Sequence, residues 1–163
     1  ILIELKRENN EQKVFLNGED VSKKIRTIEV DNCVAKYAAL KCVRDSVTPM
    51  QRKMSELGNI IMEGRDIGSV VLKNADVKIY LTATSRERAK RRFAQMANDP
   101  TRPTLQEILE DIEKRDSIDK TREHGKLLVS PDAIVVDNSN LTLEQTVAFC
   151  EKLIREKMKK KGL

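Results

Sequence analysis

Apolar residues fall in short runs, separated by polar stretches of two distinct kinds. Early in the chain, Ile1 to Leu5 and Gln12 to Leu16 read as strands, and the wholly polar Arg7 to Glu11 suits the turn of a β-hairpin. Asn17-Gly18-Glu19-Asp20 reads as a second turn. From Asp31 to about Leu57 the spacing is helical, with Val34, Ala38 and Cys42 on one stripe. Pro49 is expected to start or break a second helix there, and Gly58 to stop it.

Beyond Gly58 the pattern changes. Asn59 to Met62, Val77 to Leu81 and Ala133 to Val136 are short, mostly apolar runs, each predicting a buried strand. Three capping boxes announce the helices between and after them: Thr84-x-x-Glu87, Thr104-x-x-Glu107 and Thr142-x-x-Gln145. Buried strands alternating with capped helices predict a parallel α/β sheet.

Composition narrows the function classes. The chain has 163 residues, one ordinary domain or one with a small insert, and 39% hydrophobic residues suffice for a core. Five aromatics and no Trp argue against stacking platforms for single-stranded nucleic acid. The net charge of +5 sits at the end: Lys152 to Leu163 hold six basic residues and one acid. Such a tail suits either the solvated end of a last helix, with cations at its negative dipole end, or contact with an anionic surface. No groove-lining motif accompanies it, so no nucleic-acid partner is expected. Cys33, Cys42 and Cys150 form no C-x-x-C pair, and His124 is the only histidine. No metal ligand set is expected, and sparse, odd cysteines suit the cytoplasm. Apolar runs are too short to span a membrane.

Three features carry candidate chemistry. In open α/β sheets ligands bind beyond the carboxyl ends of strands. Glu63-Gly64-Arg65-Asp66-Ile67-Gly68 follows an expected strand and delivers two charges between glycines. It is either a ligand-facing turn or a surface turn with an internal Arg65–Asp66 pair. Second, the stripe Leu105, Ile108, Leu109 and Ile112 continues into Arg115, Asp119 and Arg122. That face is either a helix end entering solvent or a pocket wall whose guanidiniums grip an anion. Third, Arg88, Arg91 and Arg92 share a helical face after the Val77–Leu81 run, with the turn Asn98 to Pro103 beyond. They form either a solvated face or a lid over phosphates. The Walker A pattern G-x-x-x-x-G-K-[ST] does not occur in these 163 residues.

Taken together, Leu16 to Ser22, Ile25 to Thr27, Gly64 to Val71, Val77 to Leu81, Glu87 to Ala89 with Arg91 and Arg92, and Lys114 to Asp116 with Asp119 and Arg122 resemble the bacterial cytidylate (CMP) kinases. The resemblance implies a P-loop-kinase-like parallel sheet flanked by helices. Residues 1–57 would form a small CMP-binding insert and residues 58–163 the remaining core, with a lid at about 84–103. It implies ATP-dependent phosphorylation of CMP or dCMP, with Mg²⁺ accompanying ATP. Arg44 and Asp66 match cytosine contacts, Arg65 and Arg122 phosphate contacts, and Arg115 and Asp119 ribose contacts. Arg88 and Arg92, with Arg91 beside them, match lid arginines, so Arg88, Arg92 and Arg122 are the expected catalytic set. A carboxylate can accept from the cytosine amino group, whereas uracil presents a carbonyl there. Ala35 falls where the family has a serine near the base.

The resemblance also implies an N-terminal segment, before the position of Ile1, that carries the P-loop and its strand. The Ile1-Leu2-Ile3 opening is therefore expected to mark a fragment or processed product. On that expectation the 163 residues alone fold poorly and do not turn over, while the longer protein is a monomer. A kinase for UMP or another monophosphate, a non-catalytic CMP-binding module and a basic-tailed RNA-binding or assembly protein are the alternatives. Selective loss of CMP binding on changing Arg44 or Asp66, and steep salt dependence of affinity, discriminate among them.

Overall fold

A computed structural model describes all residues except Leu57, Asn98, Arg122, His124 and Leu163, and describes only the backbone of Ile28 and Asn32. It divides into two compact units, Ile1–Leu40 and Lys41–Leu163.

In the first unit, β1 (Ile3–Glu8), β2 (Glu11–Leu16) and the two-residue β3 (Glu19–Asp20) form an antiparallel sheet in that order. The hairpin runs further than the polar run suggested: Glu8 pairs with Glu11, leaving only Asn9 and Asn10 as the turn. Both have positive φ, 51° and 65°, the backbone that matches the right-handed twist of paired strands. Asn17 and Gly18 repeat the device before β3. The helix expected from Asp31 starts earlier. In α1 (Ile28–Ala38), the Thr27 hydroxyl accepts from the Val30 N–H, and Glu29 and Asp31 occupy the positive end of the dipole.

The second unit opens with α2 (Lys41–Ser55). The break between the helices falls at Ala39 and Leu40, and Pro49 lies inside α2 rather than at its start. Proline cannot donate to the carbonyl four residues back, but the flanking turns hold the helix. Gly58, with φ 71°, follows the end of α2, and its N–H bonds the Ser55 carbonyl at 3.1 Å.

The expected strand at Asn59 to Met62 is not formed. That stretch pairs with no strand among the described residues, and Ile61 is 93% exposed. An apolar run becomes a strand only when a neighbour accepts its backbone hydrogen bonds. The other two strands form: β4 (Ile79–Thr82) and β5 (Ile134–Asp137) pair in parallel, Ile79 opposite Ile134 through Thr82 opposite Asp137. The parallel α/β expectation thus holds for this small sheet.

Helices α3 (Ser85–Gln95), α4 (Leu105–Thr121) and α5 (Leu143–Lys161) complete the unit. Ala89 of α3, Ile108 of α4 and Val136 of β5 are its best-buried apolar side chains, with Val71. Thr104 and Thr142 form complete capping boxes with Glu107 and Gln145. The Thr84 box is only half made. Its hydroxyl accepts from the Glu87 N–H, but the Thr84 N–H bonds the Ser139 hydroxyl and the Glu87 carboxylate turns to Arg91. Tertiary partners at the strand end displace the local one. No helix among the described residues is long and apolar enough to cross a membrane.

Candidate active site

The Gly64-Arg65-Asp66 turn delivers its two charges to two different helices. Asp66 is buried and ion-paired with Arg44 of α2. Arg65 reaches α4 instead, with Nη1 3.8 Å from Asp116 Oδ1 and Nε 3.6 Å from Asp119 Oδ2. The internal Arg65–Asp66 pair is therefore not what this turn is for.

Ile67–Val71 forms a π-type turn: the Leu72 N–H bonds the Ile67 carbonyl at 2.7 Å and the Val71 N–H the Asp66 carbonyl at 3.3 Å. Such wide turns recur at functional sites because they re-aim side chains. Gly64 has no room for a side chain, since a Cβ there would stand 2.8 Å from Ile67 Cγ1. Arg52, two turns after Arg44 on α2, closes the far end of the turn. Its Nη2 and Nε donate to the Val70 and Val71 carbonyls at 2.8 and 3.1 Å. Helix α2 thus grips the turn twice.

Arg44, Asp45, Thr48, Arg52, Val70 and Gly125 help to line an open cleft of about 420 Å³. That lies within the roughly 300–1,000 Å³ usual for small-molecule sites. Arg65 and Asp66 line a smaller cavity of about 60 Å³ against β4 and Ser130.

The arginines of α3 take separate partners, although they share a helical face in sequence. Arg88 makes a forked pair with Asp116, Nη1 to Oδ1 at 3.1 Å and Nη2 to Oδ2 at 2.6 Å, while its Nε donates to the Ala83 carbonyl. Arg91 is tied to the loop after β5, donating to Asn138 Oδ1 and to the Asn138 and Leu141 carbonyls. Both arginines therefore stand at the carboxyl ends of the parallel strands, where ligands of open α/β sheets bind.

On α4, Asp119 is the most deeply buried charged side chain, 2% exposed, and its carbonyl accepts from the Leu127 N–H at 2.7 Å. Arg115 Nε is buried without a hydrogen-bond partner among the described residues. A buried donor left unmade costs free energy, so an acceptor from a ligand would be welcome there. Arg122 lies outside the described residues.

The carboxyl of Asp116 is subject to opposing influences. Burial raises its pKa, but hydrogen bonds from Arg88 and the charges of Arg88, Arg65 and Lys120 outweigh this and leave it below the usual carboxylate value. The same pairing pushes the Arg88 guanidinium further up.

Arg44, Arg65, Asp66, Arg88 and Asp119 are thus drawn into two ion-paired groups joined by the Arg65-Asp66 backbone. Comparison with known proteins now decides the kinship: residues 1–157 match the protein-family model described as cytidylate kinase. The chain belongs to the cytidylate kinase family.

Its relatives say the same. A cytidylate kinase of Lactobacillus gasseri is 44% identical over 157 residues, 96% of this chain and 68% of the relative. That of Fusobacterium nucleatum is 44% identical over 147 residues, 90% of this chain and 67% of its own. That of Citrifermentans bemidjiense is 40% identical over 152 residues, covering 93% and 65%. The chain therefore spans about two thirds of the length of these family members. The resemblance read from the motifs is the one the comparisons give.

Two residues in this arrangement have no role in the motif reading. Asp116 lies one position past Arg115, and the stripe drawn through Arg115, Asp119 and Arg122 steps over it. The spacing Ile112, Asp116, Asp119 was available as the signal. Gly125 carries no charge and offers no periodicity, yet its backbone borders Arg44.

Proposed function

We propose that this chain provides the acceptor side of a phosphoryl transfer, ATP + (d)CMP → ADP + (d)CDP. The observation that carries the proposal is the largely buried Arg44–Asp66 pair, in which Arg44 lines the large cleft and Asp66 the smaller cavity. A guanidinium beside a carboxylate complements cytosine, whose amino group donates where its N3 and O2 accept. Uracil would set a carbonyl against the Asp66 carboxylate, which favours CMP over UMP.

Arg65 takes the CMP phosphate together with Arg122, and Arg115 and Asp119 take the ribose. Arg88 and Arg92 neutralise the phosphoryl group in transit, on a lid at about 84–103. Transfer of this kind depends on positioning and charge neutralisation more than on covalent chemistry. A CMP phosphate oxygen attacks the γ-phosphorus of ATP, the bond to the β-phosphate oxygen breaks, and ADP leaves with that electron pair. Mg²⁺ enters with the donor and offsets charge on its phosphates. Residues 1–57 are assigned to the insert on the CMP side.

CMP-dependent formation of ADP from Mg·ATP, measured on the full-length protein, tests the proposal. Turnover with CMP and dCMP well above UMP is the expected result. Binding of CMP without any ATP dependence would replace it with a binding module. Equal use of UMP would move the assignment to another monophosphate kinase.

A further inference from the structure

We infer that Asp116 is a positioning residue for phosphoryl transfer, acting through Arg88 and, at longer range, Arg65. The inference rests on the reading above, in which Arg88 meets the transferring phosphoryl group and Arg65 the CMP phosphate.

A guanidinium has five N–H donors in a fixed fork. In Arg88 three are committed: Nε to the Ala83 carbonyl at 3.1 Å, and Nη1 and Nη2 to the two oxygens of Asp116 at 3.1 and 2.6 Å. Those partners belong to the end of β4 and to α4, so the plane of the guanidinium is fixed from two elements. Two donors, one on each terminal nitrogen, are left for a ligand. Forked pairing of this type adds orientation as well as attraction.

The same carboxylate lies 3.8 Å from Arg65 Nη1. Asp116 therefore stands between two guanidiniums that would otherwise repel. One comes from the turn that also carries Asp66, the other from the helix after β4. Asp119 extends the cluster, with its Oδ2 3.6 Å from Arg65 Nε. Donors fixed before the ligand arrives need no reorganisation during transfer, and misplacement of about 1 Å can cost on the order of a hundredfold in rate.

The test is a double-mutant cycle on the full-length protein with CMP and Mg·ATP. Asp116→Asn should lower kcat by about tenfold to a hundredfold while changing the dissociation constant for CMP less than about threefold. In the Arg88→Ala background the same substitution should cost less than about threefold in kcat, because only the longer contact to Arg65 is left for it to act through. Asp116→Glu, which keeps the charge but shifts the carboxylate by one methylene, should fold and show an intermediate kcat. Losses that multiply in the double variant would overturn the inference and make Asp116 a structural residue only. So would a CMP affinity that falls as much as kcat. An Arg88→Ala variant with undiminished kcat would bring down the reading of Arg88 itself, and this inference with it.

Discussion

The guanidinium of Arg44 lies where a side chain on Gly125 would have to stand. A Cβ built at Gly125 collides with Arg44 Cζ, Nε and Nη1, and the glycine also has φ of 65°. The side chain placed against the cytosine base in our reading thus depends on a missing atom eighty-one positions away in sequence.

Gly125→Ala is therefore expected to displace Arg44 and weaken CMP binding, with a backbone penalty of about 1–2 kcal/mol from the left-handed conformation. Calorimetric titration with CMP checks the binding, and urea unfolding the stability. Adding Arg44→Ala removes the collision but not the backbone strain. Gly125→Ala should then leave CMP affinity unchanged while still lowering stability. A further loss of CMP affinity in that background would show that the glycine does not work through Arg44.

Breaking the Arg44–Asp66 pair should be costly in both directions. Removing one partner of a largely buried pair leaves an uncompensated charge, and the cost should approach the roughly 3 kcal/mol of a fully buried pair. Asp66→Ala and Arg44→Ala should each destabilise more than half as much as the double variant. Each should also reduce discrimination between CMP and UMP, read as the ratio of kcat/KM. Equal losses for both nucleotides would remove these residues from base recognition.

Acid stability should report on Asp116. Its folded pKa lies below the unfolded value, so the folded state is favoured above the unfolded pKa of about 4 and loses that stabilisation as pH falls through the folded value. Melting temperature followed from pH 6 downward should drop below about pH 4 in the parent and fall less steeply in Asp116→Asn. Parallel curves would mean that the Arg88 and Arg65 charges do not hold the carboxyl down.

The capping boxes provide a graded comparison. Thr142→Ala combined with Gln145→Ala removes both hydrogen bonds of a complete box and should cost about 1 kcal/mol. Thr84→Ala loses only the bond from the Glu87 N–H, since the Thr84 N–H keeps its partner Ser139. Its effect on urea midpoint should be smaller. The reverse order would place Thr84 in a role beyond capping.

Much of this protein is legible along the chain because the forces involved are local. Two Asn-bearing turns set the hairpin, threonines three residues ahead of Glu or Gln start the helices, and short β-branched runs mark β4 and β5. The combination of Gly64-Arg65-Asp66, the arginine-rich α3 and the Arg115–Asp119 spacing was enough to point to the cytidylate kinase family. Strand formation was not legible for Asn59–Met62, because an apolar run cannot reveal whether a neighbour exists to take its hydrogen bonds. Nor was the helix break, which fell at Ala39 and Leu40 although Pro49 was the obvious residue for it.

The tertiary structure alone decided which charge meets which. Arg65 and Asp66 are adjacent, yet one goes to α4 and the other to α2, just ahead of the π-type turn that begins at Ile67. Arg88 and Arg91 share a face but part company at the ends of two strands. The contacts of Asp116 and Gly125 became visible only when α4 and the loop after it were seen against Arg88 and Arg44. Sequence specifies the types of charge and the local turns. Pairing between distant charges is set by distance and burial, and only the packed chain supplies those.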